Sequence, residues 1–386
     1  MLGQSPASSC SRSAARRTSN SGGSRVAISS KQRFAALGTV GVAALVLAGC
    51  APAPEAGDGA AEGASDFTAC MVSDEGGFDD RSFNQLAHTG LENAESELGV
   101  NVLEAESATP DDYAANLTTM VDQGCKIIVP VGFKLADATA AAAEANPDVD
   151  FAIVDVEGLG IANVLELNYD TAQAAFLAGY ASAAYSKTGT VATYGGAAIP
   201  TVTIFMDGFA NGVKHFNEVK GKDVKVIGWD VDSQQGSFVD DFTNVSRAKE
   251  ISTGFLSQGA DVILPVGGPL YQGAAEAIRE GGQDAVILGV DSDLAVADEQ
   301  YADIILVSIM KGLDVTVLDA ISQSVDGTFE GGTTYTGVLE NEGVGLSGFG
   351  AFESELPSGT LDEIDTLKQE VIDGKYPELS PSSPKV

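Results

Sequence analysis

Short apolar runs alternate with amphipathic stretches over most of the chain, and this alternation limits the possible folds more than any other feature. From Phe67 onward, runs of four to seven residues that suit buried strands are followed by segments with helical spacing. Runs such as IIVPV and VILPV are apolar throughout, as in parallel strands that are covered on both faces. Strands that alternate with helices indicate βαβ units. The predicted fold class is therefore α/β with parallel sheets.

The predicted elements form two successive sets. The first five strands are Phe67–Ser73, Asn101–Ala105, Lys126–Val131, Phe151–Asp155 and Asn163–Leu167. The second five are Thr190–Tyr194, Lys225–Gly228, Val262–Val266, Ala285–Val290 and Ile304–Val307. The predicted helices are Asp80–Leu98, Pro110–Gln123, Leu135–Ala145, Thr171–Ser186, Ile204–Asn217, Arg247–Gln258, Tyr271–Glu280 and Leu313–Asp326.

One stretch recurs in the second set. Residues 122–132 and 257–267 share the order Gln-Gly-x-x-(apolar)₃-Pro-Val-Gly, about 135 residues apart. Two equivalent α/β halves in one chain indicate a two-lobed binding protein with a cleft between the lobes. In open α/β sheets, ligands bind at the carboxyl ends of the strands, so two facing sheets would present two such edges to one ligand.

The first 49 residues have the composition of an export signal. They contain six basic residues and no Asp or Glu, and an apolar run from Phe34 ends in Leu-Ala-Gly-Cys50. The apolar run is short for a transmembrane helix. Leu-Ala-Gly-Cys resembles the bacterial lipobox, in which the Cys is acylated, and an ordinary signal peptide with an incidental Cys is the alternative. We therefore expect residues 1–49 to be a lipoprotein signal peptide, Cys50 to carry the lipid, and the protein to be anchored to the extracytoplasmic face of a bacterial membrane.

The rest of the chain divides into a spacer and two lobes. Residues 50–66 are rich in Ala, Gly, Pro and acids without periodicity, as in a flexible tether. We expect the first lobe to comprise residues 67–168 plus 292–328. The second lobe would comprise residues 169–291 plus 329–386.

The charge excludes some classes of function. The chain has 21 Lys+Arg against 55 Asp+Glu, a net charge of −34. Without residues 1–49 the basic count is 21 − 6 = 15, and the net charge is 15 − 55 = −40. Nucleic-acid binding needs basic residues to neutralise phosphates, so nucleic acid is not an expected partner. The same charge should repel phosphorylated ligands.

Sequence motifs of the common enzyme classes are missing. The chain has no P-loop motif, no H-E-x-x-H and no G-x-S-x-G, and its two His residues give catalytic triads few ways to assemble. No Cys-x-x-Cys or Cys/His cluster is present, so neither a metal site nor a cofactor is expected. Cys70 and Cys125 lie on or beside strands that should be neighbours, and an exported protein could join them in a disulfide. Two buried thiols are the alternative.

The segment from Val72 to Gln85, VSDEGGFDDRSFNQ, carries the most information about function. A strand ends at Ser73–Asp74, a Gly-Gly turn follows, and Asp79 or Asp80 would cap the next helix. This segment resembles the N-terminal signature of the basic membrane protein family of ABC-transporter lipoproteins, the purine nucleoside receptors. Further matching motifs are VGFK (131–134), FAIVD (151–155), FLAGY (176–180), FMDGF (205–209), GVDSD (289–293) and SIMK (308–311).

The resemblance, which covers about residues 67–350, implies a type I periplasmic-binding-protein fold: two doubly wound lobes joined by a multi-strand hinge. It also implies capture of a nucleoside in the interlobe cleft and delivery to an ABC permease and its ATPase, without catalysis by this chain, which we expect to be a monomer. The implied base contacts are Phe83 and Phe242, which would stack, and Asn84 and Asp155, which would hydrogen-bond. The implied ribose contacts are Asp74, Gly268, Asp291 and Lys311, and Ser82 would point into the cleft from the first helical turn.

Phe242 is the least regular of these matches. The family pattern Gly-Ser-(Trp/Phe)-x-Asp is Asp240-Asp241-Phe242-Thr243-Asn244 here, and Gly236-Ser237-Phe238 offers another register. Phe238 is therefore the alternative second aromatic.

Seven of these residues, Phe242 included, also have a plainer interpretation. Phe83 could be a core residue, Asn84 a solvated first-turn residue, Asp155 and Asp291 helix caps, and Phe242 a residue packed under a loop. Asp74 could neutralise Arg81, and Lys311 could be paired on a helix face. A sugar, including a signalling sugar, would suit the same polar groups, and a sensor that docks on a membrane receptor is an alternative to a transport protein.

Overall fold

The computed structural model describes residues 66–385. The expected signal peptide (1–49), Cys50 and the tether up to residue 65 lie outside the described residues. Within the described chain, no helix combines the length and apolar character needed to cross a membrane.

The described residues form two six-stranded sheets and a two-stranded ribbon. The strands are β1 Thr68–Ser73, β2 Asn101–Ala105, β3 Ile127–Val131, β4 Asp150–Val154, β5 Val164–Tyr169, β6 Thr190–Gly195, β7 Lys225–Ile227, β8 Trp229–Asp230, β9 Gln235–Gly236, β10 Val262–Val266, β11 Val286–Asp291, β12 Ile305–Lys311, β13 Thr334–Gly337 and β14 Val344–Leu346. The helices are α1 Phe83–Leu98, α2 Tyr113–Asp122, α3 Ala136–Ala145, α4 Thr171–Tyr185, α5 Pro200–Lys220, α6 Val245–Ser257, α7 Tyr271–Gly281, α8 Leu294–Ala297, α9 Leu313–Asp326 and α10 Thr360–Ile372. Short 3₁₀ turns connect several of them.

The first sheet has the order β13-β5-β4-β3-β1-β2, and all its pairings are parallel. The second sheet has the order β14-β12-β11-β10-β6-β7, and only β14 is antiparallel within it. The central strands β3, β10 and β11 are buried along their whole length, because helices cover both faces of each sheet. The predicted α/β class with two parallel sheets is confirmed.

Two strands lie in a different sheet from the one that the expected lobe boundaries assign. Ile305–Lys311 falls in the range expected for the first lobe but pairs with β11 in the second sheet. Thr334–Gly337 falls in the range expected for the second lobe but pairs with β5 in the first sheet. Each strand pairs with a sheet edge that has unpaired backbone N–H and C=O groups. Sequence order alone does not show which edge that is.

The chain therefore passes between the sheets near three points: after β5, after β12 and between β13 and β14. Helix α9 packs on α1 beside the first sheet, and α10 packs on α4 beside the second. We propose lobes of 66–169 plus 313–337 and of 171–311 plus 344–385, with three hinge crossings.

Helices α4 and α5 pack at unusually short range. Helix α4 is buried around nearly its whole circumference. A Cβ added at Gly179 would lie 2.0 Å from the carbonyl oxygen of Phe209, and one at Gly212 would lie 2.0 Å from that of Phe176. Glycine is thus required where the two backbones touch. This packing explains Gly179 of the FLAGY motif, and it explains Gly208 of FMDGF, where a Cβ would lie 2.4 Å from the carbonyl oxygen of Ala172.

Cys70 and Cys125 form a disulfide with a Cα–Cα distance of 6.0 Å. Cys70 lies in β1, and Cys125 lies two residues before β3, the parallel neighbour of β1. Both residues are buried. Of the two alternatives left open by the sequence, the structure has the disulfide rather than two buried thiols, and the bond closes a loop that contains α1, β2 and α2.

Replacing both cysteines by Ala should lower the free energy of unfolding by about 2–4 kcal/mol, because the unfolded chain regains the entropy of the closed loop. Chemical denaturation of the oxidised protein and of the double variant measures this difference. Equal midpoints and slopes would show that the bond does not contribute to stability.

Candidate ligand-binding site

The carboxyl ends of the two sheets meet at a cleft that encloses about 630 Å³, part of it open to solvent. Eight of the nine residues expected at the site line the cleft: Asp74, Phe83, Asn84, Asp155, Phe242, Gly268, Asp291 and Lys311. The ninth, Ser82, lies behind the wall. Asp80 also lines the cleft, although the sequence predicted it only as a possible helix cap.

Asp80 organises the start of α1. One of its carboxylate oxygens accepts the backbone N–H groups of Ser82 and Gln85, at 2.9 and 3.0 Å. The other accepts the backbone N–H of Asn84 at 2.9 Å. These donors would otherwise be unsatisfied at a helix N-terminus. The capping role predicted for Asp79 or Asp80 therefore belongs to Asp80, and it fixes the direction in which Phe83 and Asn84 leave the backbone.

Asp74 is bonded to the same segment. Its Oδ1 accepts the backbone N–H of Gly76 at 3.0 Å and Nδ2 of Asn84 at 2.9 Å. Burial raises the pKa of Asp74 above its usual value, although these hydrogen bonds act in the opposite direction. Asp74 does not pair with Arg81, as the plainer interpretation proposed, because Arg81 binds Asp298 at 2.6 Å.

Asp155 and Lys311 form a buried ion pair. Nζ of Lys311 lies 2.6 and 2.7 Å from the two carboxylate oxygens of Asp155. The ammonium group also lies 4.9 Å from the ring centroids of both Phe83 and Tyr169, a geometry in which the ring faces attract a cation. Lys311 ends strand β12 rather than lying on a helix face, so its partner is a residue of the cleft wall.

Asp291 occupies the corresponding strand end in the second sheet. Asp155 and Asp291 both have left-handed backbones, with φ of 63° and 68°, a conformation that Asp tolerates better than most residues. Asp291 does not cap the next helix, because Asp293 accepts the N–H of Ala295 there. The helix-cap interpretation of Asp291 is wrong.

The carboxylate of Asp291 is almost fully buried. Its Oδ2 accepts the hydroxyl of Ser82 at 2.9 Å, and that hydroxyl also lies 3.1 Å from the carbonyl oxygen of Val290. Burial raises the pKa of Asp291 to about 6, although Lys311 and Ser82 favour the charged form. Ser82 therefore orients Asp291 from behind the wall.

The two predicted aromatic residues lie on opposite lobes of the cleft. Phe83 begins α1, and Phe242 lies in the loop before α6. The ring of Phe242 packs on bare backbone, since a Cβ at Gly196 or Gly267 would approach within 2.5 or 2.9 Å of it. Phe238 does not line the cleft and instead packs edge-on against Trp229, with centroids 5.9 Å apart. The structure thus places Phe242, rather than the alternative Phe238, in the cleft wall.

Several contacts join the lobes beside the cleft. Arg81 binds Asp298, whose carboxylate is buried and also accepts the hydroxyl of Tyr271 at 2.8 Å. The hydroxyl of Ser292 donates to the carbonyl oxygen of Arg81 at 3.1 Å. Together with the Ser82–Asp291 bond, these contacts fasten the segment before α1 to the end of β11. Sequence reasoning missed Asp298, which no motif marks.

Within residues 66–385, no group of three or more His, Cys, Asp or Glu side chains is placed to hold a metal ion. The charged groups in the cleft wall are four carboxylates, those of Asp74, Asp80, Asp155 and Asp291, and one ammonium group, that of Lys311. Such a wall can accept hydrogen bonds from an uncharged ligand with several N–H or O–H groups.

Residues 67–375 match the family described as "ABC transporter substrate-binding protein PnrA-like". The chain belongs to the basic membrane protein (Bmp) family. The Bmp family consists of substrate-binding proteins of ABC transporters and not of enzymes, and this assignment confirms the resemblance seen in the sequence.

Curated relatives support the Bmp assignment. The ABC transporter nucleoside-binding protein BmpA of Lactococcus lactis is 32% identical over 81% of this chain and 88% of the relative. The CD4+ T-cell-stimulating antigen of Listeria monocytogenes is 30% identical over 82% of this chain and 89% of the relative.

Solved structures of solute-binding proteins share the fold. One from the ABC transporter system of Aeropyrum pernix superposes with a TM-score of 0.69 and 25% identity, over 80% of this chain and 92% of that one. Another, from Conexibacter woesei, has a TM-score of 0.64 at 21% identity, over 80% of this chain and 97% of that one. The type I periplasmic-binding-protein fold implied by the sequence resemblance is thereby confirmed.

If Asp291 of this Bmp protein accepts hydroxyl groups of the ligand, Asp291→Asn should weaken ligand binding at least about tenfold at pH 7. Asn is chosen because it tolerates the left-handed backbone. The affinity of the unmodified protein should rise between pH 5 and pH 7, as a carboxyl of pKa about 6 loses its proton, and the variant should lack this rise. Calorimetric titration across this pH range measures both effects.

The matched control is Asp293→Asn, which keeps a capping side chain outside the cleft wall.

The raised pKa of Asp291 also means that the folded protein holds the proton of this carboxyl group more tightly than the unfolded chain does. The contribution of Asp291 to the free energy of unfolding therefore falls as the pH rises from about 4 to about 6. An affinity that does not change with Asp291→Asn would remove this residue from the site.

Proposed function

We propose that this Bmp protein captures a nucleoside, most specifically a purine nucleoside, in its interlobe cleft and delivers it to an ABC permease. The observation that carries the proposal is the combination of two aromatic residues on opposite lobes with a wall of carboxylates. A flat base suits the first feature, and the hydroxyl groups of a ribose suit the second.

The aromatic residues supply much of the expected binding energy. Stacking of a base on an aromatic side chain contributes about 1–3 kcal/mol per base. Both rings are partly buried, and each packs against backbone, Phe83 near Gly132 and Phe242 on the glycines at 196 and 267. Supported rings lose little side-chain entropy when the ligand binds.

The carboxylates favour a neutral ligand. Lys311 is the single cation in the cleft wall as described, and both oxygens of Asp155 already contact it. A phosphate would therefore meet negative charge that the one ammonium group of the wall does not compensate. Hydroxyl groups, in contrast, donate charge-assisted hydrogen bonds to the same oxygens.

The relatives support the same ligand class. BmpA of Lactococcus lactis, whose name describes it as nucleoside-binding, aligns with 81% of this chain. A free sugar is the second candidate, because carboxylates and an aromatic surface also suit sugar hydroxyls. A sugar would need only one of the two rings, so the response to the loss of Phe242 separates the two candidates.

We predict that adenosine, inosine or guanosine binds the purified protein at least about tenfold more tightly than the free pentose or adenosine 5′-monophosphate at low salt. Base stacking accounts for the first difference, and repulsion by the acidic wall accounts for the second. Calorimetric titration with each compound measures the affinities. Equal affinities for adenosine and its monophosphate would contradict the charge argument.

Phe242→Ala and Phe238→Ala form a matched pair for the same titrations. Loss of Phe242 should weaken nucleoside binding by about 1–3 kcal/mol, whereas loss of Phe238 should leave the affinity within about twofold. A stronger effect of Phe238 would assign the second aromatic to the other register. Tight pentose binding that survives Phe242→Ala would favour the sugar.

We further propose that Cys50 carries the lipid that holds the protein at the extracytoplasmic face of the membrane. The acid-free leader and Leu-Ala-Gly-Cys50 support this proposal. The body acts as a monomer and transfers its ligand to the permease, which an associated ATPase drives. Two or more acyl chains suffice for stable anchoring.

Cys50→Ala should abolish incorporation of labelled fatty acid and release the protein into the soluble fraction, since the acceptor thiol is absent. Cell fractionation and metabolic labelling measure the two effects, with Cys10→Ala as the control. Continued labelling of Cys50→Ala would show that the anchor lies elsewhere.

A further inference from the structure

We infer that Asp80 is a positioning residue that turns the amide oxygen of Asn84 towards the ligand, so that the cleft selects a base with an N–H donor at that edge. This inference rests on the proposed nucleoside function and extends it, because it states the polarity of a base contact and the residue that sets it. The geometry of Asp80, Asn84 and Asp74 carries it.

The carboxylate of Asp80 is surrounded by donors. It accepts three backbone N–H groups of the first helical turn, and its Oδ2 also lies 3.2 Å from Nδ2 of Asn84. Asp80 is only 5% exposed, so solvent has little access to these oxygens. Every described hydrogen-bond partner of Asp80 is an N–H group, and the carboxylate therefore acts as an acceptor throughout.

The side-chain amide of Asn84 can take one orientation in this setting. Its Nδ2 donates to Oδ1 of Asp74 at 2.9 Å and to Oδ2 of Asp80 at 3.2 Å. The reversed orientation would place the amide oxygen against two carboxylate oxygens, with two lone-pair contacts in place of two hydrogen bonds. Gly76 covers the amide closely, since a Cβ at this position would lie 2.6 Å from Nδ2.

The remaining polar atom of Asn84 has no protein partner. Its Oδ1 is buried and accepts no hydrogen bond from any described residue, while the residue lines the cleft. Buried polar atoms are nearly always paired in folded proteins, so an unpaired acceptor in a cleft wall marks a place for a donor on the ligand. Because both amide protons are used by the two carboxylates, Asn84 cannot change from acceptor to donor when a different base enters.

This polarity defines a chemical class. The amino group of a 6-aminopurine and the N1–H of a 6-oxopurine both offer the required donor. Purine riboside has a C–H at position 6 and an acceptor at N1, so it would leave Oδ1 of Asn84 unpaired or opposed by a lone pair. Sites built around such a hydrogen bond discriminate strongly against analogues that lack it.

The test compares adenosine, inosine and purine riboside by calorimetric titration of the protein purified in detergent. The expected result is that adenosine and inosine each bind at least about tenfold more tightly than purine riboside. Asp80→Asn replaces one acceptor oxygen with an NH₂ group, so it cannot accept all four bonds, and the amide of Asn84 then keeps only its bond to Asp74. The ratio of purine riboside to adenosine dissociation constants should then fall below about three.

Asp79→Asn is the matched control, because it removes a neighbouring exposed carboxylate that has no described side-chain contact. It should retain the wild-type ratio. Asp74→Asn removes the other carboxylate that holds Nδ2 of Asn84 and should also lower the ratio, so the positioning argument can be tested even if Asp80→Asn fails to fold.

The outcomes separate this inference from the proposed function. Equal binding of purine riboside and adenosine by the unmodified protein would overturn the inference and leave nucleoside capture standing. A wild-type ratio that survives in both Asp80→Asn and Asp74→Asn would overturn the positioning role. Failure of every nucleoside to bind would overturn the proposed function itself, and the inference with it.

Discussion

The buried ion pair between Asp155 and Lys311 joins the carboxyl ends of the two sheets, and the cleft depends on it. Asp155 follows β4 of the first sheet, and Lys311 ends β12 of the second. Buried charges are costly unless they are paired, and removal of one partner leaves the other uncompensated. The pair therefore couples the relative position of the lobes to the electrostatics of the site, and it places the ammonium group beside the ring of Phe83.

A second set of contacts fastens the lobes from the side of α1. Asp80 caps this helix, Ser82 holds Asp291, and Arg81 binds the buried carboxylate of Asp298. One short segment thus supplies an aromatic wall, an amide, a helix cap and the contacts to the opposite lobe. Because these roles fall within one segment, the stretch from Val72 to Gln85 carried most of the sequence information about function.

The sequence predicted the ten principal strands and eight of the helices, because apolar runs and helical spacing are local signals. The strands β8, β9, β13 and β14 were missed, since two to four residues carry no period. Helices α8 and α10 were also missed, although Ile364, Leu367 and Val371 lie on one face of α10. Eight of the nine expected site residues line the cleft. Their prediction rested largely on the family resemblance. The contact of Arg81 with Asp298 could not be predicted, because nothing near Asp298 in the sequence marks it.

A structure of the protein with adenosine bound tests the central claim most directly. The account predicts that the base lies between Phe83 and Phe242, with an N–H of the base within about 3.2 Å of Oδ1 of Asn84. It also predicts that hydroxyl groups of the ribose donate to the carboxylate of Asp291. A ligand bound outside this cleft, or a base that makes no contact with either aromatic ring, would contradict the account.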